Sequence, residues 1–267
     1  MKLTKFLKST ETYKKIYFFF SNKKNLDTEN VKYKNLDNLF NYFQTDKGSR
    51  VINPYRNSEA VSEKYYISHN FSRFYEKYLK KIKNKKLNIL EIGVWKGAST
   101  ASFFYYLPNS TFVAIDSEPK FSYESNRIKF FLCDTSKLSS LKKLKKNLIK
   151  LSINKFDIII DDGAHSLSSI INNFIFFFKL LKSGGIYVIE DYKFPNYFDY
   201  LKDLKDHYLI DKILFFLKKK KLFKSTLFSK KLIKEFIKYI HRIDIFKGSY
   251  FLKDGRNISD IAFILKK

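Results

Sequence analysis

Apolar and polar positions change rhythm near residue 87 of this 267-residue chain. Upstream, residues 1 to about 85 read as helices and loops without strong strand signals, and a turn-rich stretch runs from Asp46 to Asn57. From Leu87 onward, short apolar runs alternate with segments of helical spacing. The runs predict strands at Asn88–Val94, Thr111–Asp116, Ile128–Cys133, Phe156–Asp161 and Gly185–Ile189. Helices fill the intervals, to about Leu107, over Ser139–Leu151 and to Leu181. Strands apolar on both faces, each followed by a helix, mean a parallel sheet covered by helices. The residues Lys182-Ser183-Gly184-Gly185 tolerate positive φ and predict a helix end before the fifth strand. After a basic helical stretch, Arg242–Lys247 and Ile258–Leu265 flank the turn Lys253-Asp254-Gly255-Arg256, which suits an antiparallel hairpin closing the sheet. The expected fold is α/β and doubly wound, with a mostly parallel seven-stranded sheet. A helical N-terminal extension or lid (residues 1–85) precedes the main domain (86–267), which carries a basic helical insertion at about 200–240.

The first strand runs into Leu90-Glu91-Ile92-Gly93-Val94-Trp95-Lys96-Gly97-Ala98-Ser99-Thr100. Glycine at such a turn lets backbone approach a ligand closely, and the helix that follows offers unpaired N–H groups. Asp116 ends the second strand, 23 residues after Gly93, where a carboxylate can accept hydrogen bonds from both ribose hydroxyls of an adenosine-containing cofactor. Asp134, just past the third strand, is placed for the adenine side. The turn lacks the central glycine of GxGxxG, which favours a cofactor without phosphates over NAD. Glu91, Gly93, Gly97, Ser99, Asp116, Asp134 and Asp161 form the candidate cofactor-binding set.

The fourth strand ends in Asp161-Asp162-Gly163-Ala164-His165 and the fifth in Glu190-Asp191. In a parallel sheet both ends share one edge, so Asp162, Glu190 and Asp191 can converge if the strands are neighbours. Carboxylates that close repel one another unless a cation joins them, and oxygen-only ligation suits Mg²⁺. His165, three residues past Asp162, is within reach of a metal-bound hydroxyl as a general base. His69, His207 and His241 have no comparable company in the sequence.

Together these segments resemble the class I S-adenosylmethionine-dependent methyltransferases, and within them the metal-dependent sugar O-methyltransferases of the macrocin and mycinamicin type. Thr45-Asp46-Lys47-Gly48, His69 and Phe74-Tyr75 are similar to that group as well. The resemblance implies a Rossmann-like methyltransferase fold, S-adenosylmethionine across the glycine turn, Mg²⁺ held by Asp162, Glu190 and Asp191, and His165 as the base that deprotonates a sugar hydroxyl. A sugar-bearing small molecule or glycan is the acceptor it implies. Methylation of a catechol-like phenol is the enzymatic alternative; a non-catalytic, nucleic-acid-binding protein on the same scaffold is the other.

Composition adjusts this picture in three places. With 45% hydrophobic residues, 29 Phe and 19 Tyr, the chain has ample core material despite its charge. The single cysteine, Cys133, excludes an internal disulfide framework or a cysteine-rich zinc site, and makes a reducing cytosol the natural setting. No apolar run approaches the roughly 18 residues that cross a bilayer. Finally, 52 Lys+Arg against 26 Asp+Glu give a formal +26. The lysines are spread along the chain with Phe, Ile, Asn and Tyr, a bias an AT-rich genome produces unaided, so no specific nucleic acid is expected. The densest cluster, Lys218 to Lys221 with Lys224, Lys230, Lys231 and Lys234, alternates with apolar residues as in a helix. A solvated helix face explains it more simply than weak contact with an anionic membrane surface at the inner membrane face. Self-association stays open.

Overall fold

The computed structural model describes Phe18, residues 21–50 and residues 67–267; the predicted turn-rich stretch therefore lies partly outside the described residues. Seven strands form one sheet: β2 (Asn88–Ile92), β3 (Thr111–Asp116), β5 (Ile128–Leu132), β6 (Phe156–Asp161), β7 (Leu181–Glu190), β8 (Ile240–Lys247) and β9 (Asp260–Lys266). Their order is β5-β3-β2-β6-β7-β9-β8. The first five positions are parallel, and β9 runs antiparallel to both β7 and β8. A separate two-stranded parallel pair joins β1 (Lys24–Asn25) to β4 (Tyr123–Glu124).

From β2 the chain moves outward through β3 to β5, then returns to the other side of β2 at β6. The β2/β6 boundary is thus the switch point, where diverging connections leave a crevice beyond the carboxyl ends. Side chains alternate between two apolar layers along each strand, as a pleat requires. Leu90, Ile92 and Ile159 face one cluster, which is completed by α4 (Leu138–Lys150), α5 (Leu167–Phe177), α7 (Ile210–Lys218) and α8 (Lys230–Tyr239). Ile89, Ile158 and Ile160 face the other, covered by α1 (Leu36–Phe43), α2 (Ser72–Leu79) and α3 (Ala98–Tyr106). The described N-terminal helices are therefore part of the sheet's cover: Phe40 packs edge-on against Tyr75 and Phe103, joining α1, α2 and α3. The short α6 (Phe194–Tyr197) follows β7, with Pro195 in its first turn.

Three local details depart from the sequence reading. The Lys182–Gly185 segment belongs to β7 itself, because the helix before it closes in a 3₁₀ turn at Leu180 and the pairing of β6 with β7 is irregular between Phe156 and Ile158. The basic stretch is not one helix. It breaks after Lys218 and restarts at Lys230, where the Ser229 side chain accepts a hydrogen bond from Leu232 N. Between the two helices, Ser225 donates to Asp206 and accepts from the backbone of Leu227 and Phe228, and the buried Phe228 ring plugs the gap. The hairpin's connection is longer than one turn: Gly255 (φ 81) sits at the tip of a small lobe held by Leu252 and Arg256.

Candidate functional site

A cleft of about 1010 Å³ opens at the carboxyl edge of the sheet. One wall is the turn after β2, where Gly93 (φ 80) and Gly97 (φ 88) bracket Trp95, itself at φ 45. Gly93 cannot be replaced locally, since a Cβ there would fall within the Asp162 carbonyl and against Gly163 Cα. The turn is pinned from β3: Gly93 N donates to Ile115 O at 2.9 Å and Trp95 N to Asp116 Oδ2 at 2.7 Å. A non-glycine residue in the left-handed region beside a ligand crevice is strain that the surrounding bonds maintain.

The candidate cofactor residues divide. Gly93 and Ser99 line the cleft, together with Val94, Trp95, Lys96, Ala98 and Tyr123. Gly97 sits between lining residues, its Cα facing the Phe121 ring. Glu91 is buried behind the turn and accepts from the Ser99 and Thr100 hydroxyls; burial raises its pKa. Asp116 has its carboxylate on the backbone of Trp95 and Glu118. Asp134 caps its own loop through Ser136 and pairs with Lys137, and these contacts lower its pKa. Asp161 accepts from Asn173 and Tyr187 at 3.1 Å each, and burial raises it to about 7. None of these four acids lines the cleft.

Beside the turn, the cleft gathers the acids that end β6 and β7. Ligand atoms of Asp162, His165 and Asp191 lie within 4.8 Å of one another, with His165 Nε2 at 3.6 Å from Asp162 Oδ1. Glu190 stands outside that trio. Its Oε1 accepts from Tyr75 Oη at 2.5 Å and its Oε2 from Lys47 Nζ at 2.7 Å. The Lys47 ammonium, 3% exposed, also reaches Asp162 Oδ2 at 2.5 Å. Burial alone would lower Lys47, but Asp162 and Glu190 outweigh it and hold the ammonium well above the usual lysine range. Burial would likewise raise Asp162, but Lys47 and His165 bring it below its usual value. Asp191 draws too little from the Lys47 charge to compensate. Buried, with its Oδ1 lacking a hydrogen-bond partner, it is pushed far up by desolvation and by the charges of Asp162 and Glu190. His165 (φ 54) and Asp191 (φ 49) both hold left-handed backbone conformations, and burial lowers the His165 pKa.

Lys47 and Tyr75 were not singled out individually by spacing or charge, and His69 looked solitary in the sequence. In the fold His69 is buried beside Asp191, its Nδ1 at 3.5 Å from Oδ1 and at 2.8 Å from Ser259 Oγ, with burial lowering its pKa to about 4. The one sequence signal for all three was the resemblance carried by Thr45–Gly48, His69 and Phe74-Tyr75. His207 and His241 do not line the cleft.

This donor set has the chemistry of a hard-cation site. A buried, orphaned carboxylate oxygen beside a second carboxylate and an imidazole fits a divalent ion with oxygen preference, and the cleft along the glycine turn leaves room for an extended organic molecule.

Comparisons with known proteins agree with this layout. The profile of a family described as a methyltransferase domain matches residues 90–192. The demethylmacrocin O-methyltransferase of Streptomyces fradiae is 28% identical over 141 residues, covering 50% of this chain and 34% of that protein. The mycinamicin VI 2''-O-methyltransferase of Micromonospora griseorubida is 27% identical over the same length and shares. The structure of MycE methyltransferase from the mycinamycin biosynthetic pathway, in complex with Mg, SAH and mycinamycin VI, superimposes with a TM-score of 0.61 at 20% identity. That match covers 88% of this chain and 55% of MycE. The chain thus spans about a third of the length of these curated relatives and about half of MycE. Residues 90–192 thus match the profile of a methyltransferase domain and lie in a seven-stranded sheet of the Rossmann-like methyltransferase fold, and half of the chain is similar in sequence to O-methyltransferases of the macrocin and mycinamicin type.

Proposed function

We propose that the chain is an S-adenosylmethionine- and Mg²⁺-dependent O-methyltransferase that methylates a sugar hydroxyl of a glycan or glycosylated metabolite. One observation carries the reading: the glycine turn and the Asp162–His165–Asp191 cluster line one cleft side by side, with Gly93 against the Asp162 backbone. The names of the relatives support the substrate class, and the Mg and SAH bound to MycE support the two cofactors.

Asp162 and Asp191 would hold the ion, and Glu190 joins them only by releasing the Lys47 ammonium. When bound, the divalent cation would lower the pKa of a chelated sugar hydroxyl, a poor nucleophile at neutral pH. The chain's own residues do the rest. His165, neutral because burial depresses its pKa, would take the hydroxyl proton at Nε2, and the bound cofactor would supply the methyl group and leave as the neutral thioether. Gly93 and the cleft-lining residues to Ser99 would hold the cofactor. Asp116 fixes Trp95 N and thereby the shape of that wall; Glu91 locks Ser99 from behind. The sulfonium is already activated, so orientation and proton removal supply most of the rate.

Calorimetric titration with S-adenosylmethionine, with Mg²⁺ and in EDTA, tests the cofactor; mass spectrometry of methyl transfer to sugars and to vicinal phenols tests the acceptor. Saturable binding with Mg²⁺-dependent transfer to sugars is expected. Transfer confined to phenols removes the sugar assignment. A cofactor affinity untouched by Asp116→Ala removes Asp116 from the cofactor wall.

A further inference from the structure

The helical layer over one face of the sheet has more apolar side chains than its core uses. Leu144 and Leu148 of α4, Ile213, Leu214 and Leu217 of α7, and Ile233 and Phe236 of α8 are buried in the cluster beneath. Yet the same layer leaves Leu138 63%, Ile149 59%, Leu222 49% and Phe215 47% exposed. Around them the charge is one-sided. All five lysines of α4 are exposed, and that helix contains no acid. Residues 212–239 contain ten lysines, all exposed, against one acid, Glu235. The break between α7 and α8 is what puts Leu222 and its lysine neighbours on the outside rather than along one continuous buried stripe.

We propose that the outer surface of this layer docks on an anionic lipid bilayer, with the lysines over the headgroups and Leu138, Ile149, Phe215 and Leu222 entering the interface. Clustered lysines are drawn to anionic headgroups, and each contributes to the attraction. Leu138, Ile149 and Leu222 favour the lipid among polyanions: in hydrocarbon they gain from leaving water, whereas single-stranded nucleic acid is held by aromatic stacking, which in this set only Phe215 could give. Lysine stems can lie along the apolar surface while the ammonium groups reach outward. No described helix is long and apolar enough to cross a membrane, and surface docking needs none. The cleft lies at the carboxyl edge of the sheet and the layer covers one face, so a docked molecule keeps its cleft open along the membrane plane.

Flotation of the full chain with phosphatidylcholine vesicles, with and without phosphatidylglycerol, tests the surface. Binding is expected only with phosphatidylglycerol and should weaken as salt rises. Combining Lys218→Glu, Lys219→Glu, Lys221→Glu and Lys224→Glu should lower partitioning by at least about a hundredfold. Phe215→Ser with Leu222→Ser should lower it by about tenfold and remove its salt-resistant part. Unchanged thermal unfolding and S-adenosylmethionine binding show that each variant is intact. Equal partitioning to both vesicles, or partitioning indifferent to both variant sets, overturns the proposal. Displacement from vesicles by RNA or heparin at equal anionic charge also overturns it and assigns the surface to a polyanion.

Discussion

The glycine turn after β2 and the acid cluster after β6 and β7 line one cleft, but they are assembled differently. The turn is made from neighbours. Glu91 is fastened by Ser99 and Thr100, eight and nine residues on, and Trp95 by Asp116. The acids are held from far away: Lys47 reaches Asp162 across 115 residues and Glu190 across 143, and Tyr75 reaches Glu190 across 115. A site built from near neighbours forms with its own strand and helix. One built across the fold exists only when the N-terminal segment has docked, so the electrostatics of the acids depend on packing between α1, α2 and the sheet.

Gly93 is where the two meet, and Gly93→Ala is the severest test of their separation. Its Cβ would strike the Asp162 backbone at a positive φ, so a loss of more than about 4 kcal/mol in denaturant unfolding is expected, with both cofactor and Mg²⁺ binding impaired. Loss of cofactor binding alone would show the walls to be independent.

Lys47→Met should act on one wall only. It strips the counter-ion from buried Asp162 and Glu190 and should cost about 3–5 kcal/mol, partly restored by Mg²⁺ in thermal unfolding. Unchanged stability would show that the ammonium does not stabilise the cluster; a loss that Mg²⁺ does not restore would show that the ion does not take its place.

His165→Ala should lower turnover by about a hundred- to ten-thousandfold while leaving cofactor affinity, measured by calorimetry, intact. Because burial depresses His165, the acid limb of the wild-type pH–rate profile should lie below pH 6.5. A limb above that value would assign it to another group.

A smaller effect separates the walls by pH. His69 falls from its ordinary 6.5 to about 4 because it is buried. Between those values the unfolded chain binds the proton that the folded chain refuses. Stability is therefore full above pH 6.5 and lost as pH falls toward 4, by roughly 3 kcal/mol. His69→Gln should flatten that slope in denaturation curves; an unaltered slope would place the titration elsewhere.

The smallest change is expected behind the turn. Burial pushes the Cys133 thiol up to about 11, so iodoacetamide should label it only after unfolding. Rapid labelling of the native protein would mean that the third strand's end opens.

The same contrast explains what could be read from the chain alone. The five parallel strands, the hairpin, the glycine turn and the Asp162–His165 spacing are local patterns of period and turn chemistry, and they survive into the fold. Apart from the resemblance, Lys47 and Tyr75 carry no local mark, since a lysine among 52 basic residues gives no hint that it is buried. His69 was misjudged for the same reason: its companion Asp191 lies in a different element and arrives only through tertiary packing. The basic helix was drawn too long because Lys-rich spacing continued past Lys218, whereas Ser225, Asp206 and the Ser229 cap decide where the backbone turns.

The ammonium between Asp162 and Glu190 is a counter-ion built into the chain itself. Because that positive charge is tethered to the chain, part of the acid cluster is neutralised as soon as the N-terminal segment docks, whether or not an ion is at hand. A divalent ion drawing on Glu190 then arrives as a rival to the lysine, and its net affinity is the difference between the two attachments. Loading would follow the surrounding concentration of free ion, while the protein's survival without it would not.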